Sequence, residues 1–144
     1  MRRFALLLAS ALAVASLAVL ALAAEKSAKK PARGKPITVE GTLIDAKCFS
    51  IDPANRGDDH PTNDGPVEAC AEACAKLGVP VAVLTAKGEA MILLAPAPEF
   101  TDHMSDPVRV SGTKAFGGKA ILVEKAEVRG ADGAWRELSL HTMM

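Results

Sequence analysis

The sequence predicts a mainly β fold, a small OB-like barrel of five to six short antiparallel strands with one helix carrying Cys70 and Cys74 and a second, shorter one. Three observations predict it. Short apolar and β-branched runs are separated by turn dipeptides, Lys87-Gly88, Gly117-Gly118 and Asp132-Gly133. Only one stretch carries a full set of helix start and stop signals. About 108 residues follow Lys35-Pro36, enough for one modest core, and short strands in so small a domain bury their apolar faces only by closing or nearly closing. An open sheet covered by helices is the alternative architecture.

Ile37 to Asp45 alternates well enough for a first strand, with Gly41 marking a bulge or bend. Phe49 to Gly65 has no apolar period and is crowded with Asp, Asn, Pro and Gly, so it reads as a long loop. Pro66 to Leu77 reads as the helix: Asp64 would cap it, Pro66 suits its first turn, and Gly78 with Pro80 ends it. Val81 to Thr85 and Glu89 to Ala95 form a hairpin around Lys87-Gly88. Pro96 to Met104 suits a short helix. Val108 to Ala115 and Lys119 to Arg129 form a second hairpin, and Trp135 to Leu140 a last strand or edge segment.

Ahead of this domain, residues 1–24 read as a cleavable signal peptide. Arg2 and Arg3 precede an apolar stretch from Phe4 to Leu22, and Ala21-Leu22-Ala23 offers a cleavage site. An uncleaved anchor would need roughly 20 apolar residues, which the run approaches. Residues 25–36 are a basic, flexible linker, and the single domain is expected over 37–144. The expected location is periplasmic or secreted, where a disulfide is the default fate of a cysteine pair.

Between residues 37 and 144 there are 10 Lys and Arg against 16 Asp and Glu, so the neutral precursor conceals an acidic domain. That balance argues against nucleic acid as a partner, as does the scarcity of aromatic residues: no Tyr, one Trp, and Phe49, Phe100 and Phe116 beyond the leader. No G-x-S-x-G, phosphate-binding glycine loop or C-x-x-C-H run is present to support a hydrolase, nucleotide or cytochrome reading.

The chemistry concentrates in Cys48, His60, Cys70 and Cys74, all within 27 residues. Cys70 and Cys74 stand four apart, on one face of the expected helix. With Cys48 and His60 they make a Cys3His set suited to tetrahedral zinc, while their thiolates also suit copper(I). Asp45, three residues before Cys48, either accepts a hydrogen bond behind a ligand or caps the strand end. A bland reading competes. Val67, Cys70, Cys74 and Leu77 form a helical stripe that would face a core, and one helix cysteine could pair with Cys48. Closing about 22 to 26 residues that way would add roughly 3 kcal/mol and leave a spare thiol. Thiol–disulfide exchange is a third reading, although the redox dithiol is usually spaced C-x-x-C. Asp52, Asp58, Asp59 and Asp64 lack the order of a calcium loop, and His103-Met104 and His141 are scattered soft donors.

Gly41-x-x-x-Asp45-x-x-Cys48, then His60, then Cys70-Ala71-x-x-Cys74-x-x-x-Gly78-x-Pro80 resembles the pattern of a family of small exported bacterial proteins with an OB-like fold and no established activity. The resemblance implies one constellation of Asp45, Cys48, His60, Cys70 and Cys74 between the first two strands, with the loop from Asp52 to Asp64 longer and more acidic here. The function expected is transition-metal binding without catalysis. A disulfide-stapled module docking an envelope protein is the alternative, and an oxidoreductase the third.

Overall fold

The computed structural model describes residues 34–141. The expectations for the leader and most of the linker lie outside those residues. Eight strands and two short α-helices follow in order: β1 Pro36–Asp45, α1 Ala46–Ile51, β2 His60–Thr62, β3 Gly65–Val67, α2 Cys70–Lys76, β4 Val81–Leu84, β5 Ala90–Leu94, β6 Pro107–Ala115, β7 Ala120–Arg129 and β8 Trp135–Glu137. A 3₁₀ helix, Ala97–His103, links β5 to β6.

Five strands close on themselves. β1 pairs with β6 along one edge, from Pro36 opposite Thr113 to Thr42 opposite Pro107. Its C-terminal end turns to β4, with Thr42 opposite Leu84 and Asp45 opposite Val81. β4 pairs with β5, β6 with β7, and a short parallel pairing of Ile92–Leu94 with Ala120–Leu122 closes the ring. β8 extends the edge of β7 beyond the point where β5 leaves it. Closure removes the exposed edges that strands this short could not otherwise protect.

Two glycines permit the necessary bends. A Cβ at Gly41 would collide with the carbonyl of Leu84 as β4 takes over from β6. One at Gly112 would collide with the carbonyl of Leu122, beside the register shift between Ser111 and Gly112.

Alternation places Leu43, Val81, Val83, Val108, Val110, Ile121 and Val123 inside the barrel, where Phe100 of the 3₁₀ helix joins them. Strand β1 departs from simple alternation near its end. Leu43, Ile44 and Asp45 are all buried, because α1 covers the outer face there. Ile44, Ala82 and Leu84 form a second apolar cluster outside the barrel, packed against Ala46 and Phe49. Burying a side chain such as Phe49 stabilises by roughly 1.5–3 kcal/mol when complete, and here it anchors the helix that carries Cys48.

The Cys48–Cys74 region differs from expectation in three places. The long loop contains α1 and the β2–β3 hairpin, in which His60 pairs with Val67 and Thr62 with Gly65. Its Asn63-Asp64 turn is a hairpin signal, outweighed in the sequence by the prolines at 61 and 66, which sit opposite each other in the ladder. The cysteine-bearing helix therefore begins at Cys70, and Pro66 and Val67 belong to the hairpin. Asp64 does not cap it. The stripe expected to face the core is also displaced: Val67 is 44% and Leu77 85% exposed, while Ala71 and Ala75 supply the buried face.

Candidate metal centre

Each cysteine is delivered by its own local device. Asp45 ends β1 and caps α1, its Oδ1 accepting from the backbone amides of Lys47 at 2.8 Å and Cys48 at 3.2 Å. At the other end of α1, the Cys48 carbonyl accepts from the Asp52 amide at 3.0 Å and from Asn55 Nδ2 at 3.1 Å. Cys48 is therefore held from both sides.

Helix α2 lacks a side-chain cap of its own, since Ala69 precedes it in the left-handed region at φ 48°. The acidic loop supplies what is missing. Asp59 Oδ1 accepts from the Ala69 amide at 2.8 Å, the Asp58 carbonyl from Ala71 at 3.0 Å, and Asp58 Oδ1 from Glu72 at 2.9 Å. These bonds satisfy amides that a helix start leaves without partners. Asp58 and Asp59 thus have a defined task, orienting the helix that presents Cys70 and Cys74.

The result is convergence. The sulfurs of Cys48, Cys70 and Cys74 lie within 4.8 Å of one another, all three residues half-buried and all three thiols free. The alternative reading, a disulfide from Cys48 to a helix cysteine, is not supported by this arrangement. A second group overlaps the first: Asp45, Cys48 and His60 also bring one ligand atom each within 4.8 Å of one another. The structure thus groups His60 with Asp45 and Cys48, and Cys48 is common to both sets.

Burial makes the second set unusual. Asp45 is 1% and His60 2% exposed. His60 Nε2 lies 3.1 Å from the carbonyl of Gly57, an acceptor only, so Nε2 carries the proton and donates it. His60 Nδ1 and Asp45 Oδ2 are both buried without a hydrogen-bond partner. Buried polar atoms left in that state cost about 1–3 kcal/mol each, more for a charged group.

Electrostatics bind the two sets together. Burial pushes the Cys48 thiol up to about 12, reinforced by the neighbouring Asp45 carboxylate and then by Cys70 and Cys74. Cys74 is pushed up to about 11 by burial first and then by Asp45. Burial would raise Asp45 as well, but the thiols of Cys74 and Cys48 and the amides of Cys48 and Lys47 outweigh it and hold its carboxyl below the usual value. The carboxylate stays ionised while the thiols beside it keep their protons.

The remaining soft donors are elsewhere. Met104 packs in the barrel core, His103 Nδ1 lies 3.2 Å from Asp106 Oδ2, and His141 Nδ1 lies 3.2 Å from Glu99 Oε1. Sequence reasoning placed the three cysteines and His60 in one set; the structure brings the three sulfurs together and groups His60 with Asp45 and Cys48 instead. The same reasoning missed the helix at Ala46–Ile51, although Asp45 is a capping residue directly before it. No family model, curated protein or solved structure matches the chain, and the chemistry of this centre rests on its own geometry.

Proposed function

We propose that the domain binds a transition metal, zinc or copper(I), with Cys48, Cys70 and Cys74 as ligands and His60 contributing to the same centre. The observation that carries the reading is the convergence of three free sulfurs from two helices within 4.8 Å. Thiolates suit both metals, and imidazole suits zinc. His60 supports it further, because its Gly57 contact leaves Nδ1 with an available lone pair. Thiol–disulfide exchange is less well served, since the attacking species is a thiolate and Cys48 and Cys74 are both pushed toward the thiol.

The closed order β1–β4–β5–β7–β6, with only β5 and β7 parallel, supports an OB-like reading of the barrel. Arg2 and Arg3 ahead of the apolar run support export through residues 1–24, which would place the centre in the periplasm or outside the cell. A metal that ties α1 to α2 would serve a domain of this size well, since structural zinc sites contribute on the order of 10 kcal/mol.

Intact mass under non-denaturing and then denaturing conditions tests the proposal. The expected result is a metal adduct on the folded protein that is lost on unfolding to leave the fully reduced mass. A mass short by two hydrogens in both conditions, with no adduct, would sink it and favour a stapled interaction module.

A further inference from the structure

We propose that the centre takes two divalent cations, the inner one held by Asp45 Oδ2, Cys48 Sγ and His60 Nδ1. This rests on the metal-binding reading above and extends it in ion count and donor set. Cys48 would bridge, donating one sulfur lone pair to the inner ion and another to an outer ion shared with Cys70 and Cys74.

Three observations point to it. The ligand atoms form two overlapping groups with Cys48 common to both, rather than one group of four built around the three thiols and His60. The two atoms that would complete the inner set, Asp45 Oδ2 and His60 Nδ1, are buried and unpartnered, on residues 1% and 2% exposed. Neither is left over by accident of orientation. Asp45 Oδ1 is occupied by the Lys47 and Cys48 amides and His60 Nε2 by the Gly57 carbonyl, so each side chain is held by one atom with the other directed away.

Charge gives the third. Three thiolates and one carboxylate carry four negative charges when the centre is loaded. One divalent cation would leave two of them uncompensated, which is costly beside a carboxylate only 1% exposed. Asp45 makes no salt bridge with Lys, Arg or His among the described residues. A second divalent cation brings the sum to zero. The donor sets also differ in kind. Carboxylate, thiolate and imidazole suit a borderline ion such as zinc or cobalt(II), whereas the outer trithiolate set is soft. The outer set supplies three donors from this chain, which would leave a four-coordinate ion room for water or an incoming ligand.

Cobalt(II) titration of the reduced, metal-free protein, followed by absorption, magnetic susceptibility and native mass, tests the inference. The expected result is two equivalents per chain, with the magnetic moment per cobalt falling as the second binds, because a bridging thiolate couples the two ions. Asp45→Asn retains an oxygen to cap α1, and His60→Gln retains a polar side chain of similar size; each is expected to stop at one equivalent with no drop in moment. Saturation of the unaltered protein at one equivalent would overturn the two-ion inference and leave the metal-binding reading standing. Two equivalents in both variants would also overturn it, placing the second ion elsewhere. A folded protein that takes up no cobalt would overturn both readings.

Discussion

His60 Nε2 lies 3.1 Å from the Gly57 carbonyl oxygen, and that single contact decides which nitrogen of the ring is available. Because the carbonyl can only accept, the proton sits on Nε2 and the lone pair on Nδ1. The hairpin β2–β3 then keeps the ring buried. The arrangement is the one expected of a metal ligand whose other nitrogen is held by a backbone oxygen.

His60→Ala separates ligation from packing only when it is measured twice. His60 is buried, so its truncation destabilises the metal-free protein whatever its role. The diagnostic quantity is the gain in Tm on adding zinc. That gain is expected to shrink by at least about 5 °C in the variant. An unchanged gain, read by calorimetry with and without metal, would remove His60 from the centre.

Cys70→Ser and Cys74→Ser are expected to weaken zinc binding by at least about 100-fold while leaving the metal-free fold nearly intact, since the buried face of α2 is Ala71 and Ala75. Competition against a coloured chelator checks this. Affinity unchanged from that of the unaltered protein in both serine variants would mean that α2 carries no ligand.

In the metal-free protein, Cys48 and Cys74 should resist alkylation. The thiolate reacts, and folding raises these two groups to about 12 and about 11 from the ordinary thiol value of 9.0. The raised values favour folding at neutral pH, and that contribution is lost as pH rises above 9 through the folded values. At pH 8 iodoacetamide should label both at least about tenfold more slowly than in urea, with the difference narrowing toward pH 11. Fast labelling of Cys48 at pH 7 would instead favour the oxidoreductase reading.

Gly112→Ala should lower stability by roughly 1–3 kcal/mol, because the added methyl meets the backbone of β7 rather than a side chain able to turn aside. The urea midpoint should fall with little change in slope. A neutral result would show that the β6–β7 bulge is more adaptable than its packing indicates.

Much of the barrel was legible in the sequence. The hairpins at Lys87-Gly88 and Gly117-Gly118 follow from turn chemistry and alternation, which act over a few residues. The short helix expected over Pro96 to Met104 is the 3₁₀ helix Ala97–His103. The stretch between Phe49 and Cys70 was not legible. Its polar and prolyl residues have no period, and its structure comes from partners elsewhere: Phe49 packs on the outside of β4, Asn55 reaches back to Cys48, and Asp58 and Asp59 serve the amides of α2.

The sequence by itself pointed to short strands that close or nearly close, with an open sheet as the alternative, and singled out Cys48, Cys70, Cys74 and His60 as one candidate set. Both follow from local pattern and residue type. Only the tertiary structure decided how those residues divide. The cap on α1 leaves Asp45 Oδ2 unpartnered, the Gly57 contact leaves Nδ1 unpartnered, and the loop carboxylates set the start of α2. The first two are local bonds spanning two or three residues, and what the fold adds is the burial that keeps water from the atoms left over; the third joins residues 10 to 14 apart, and spacing alone encodes neither that burial nor that pairing.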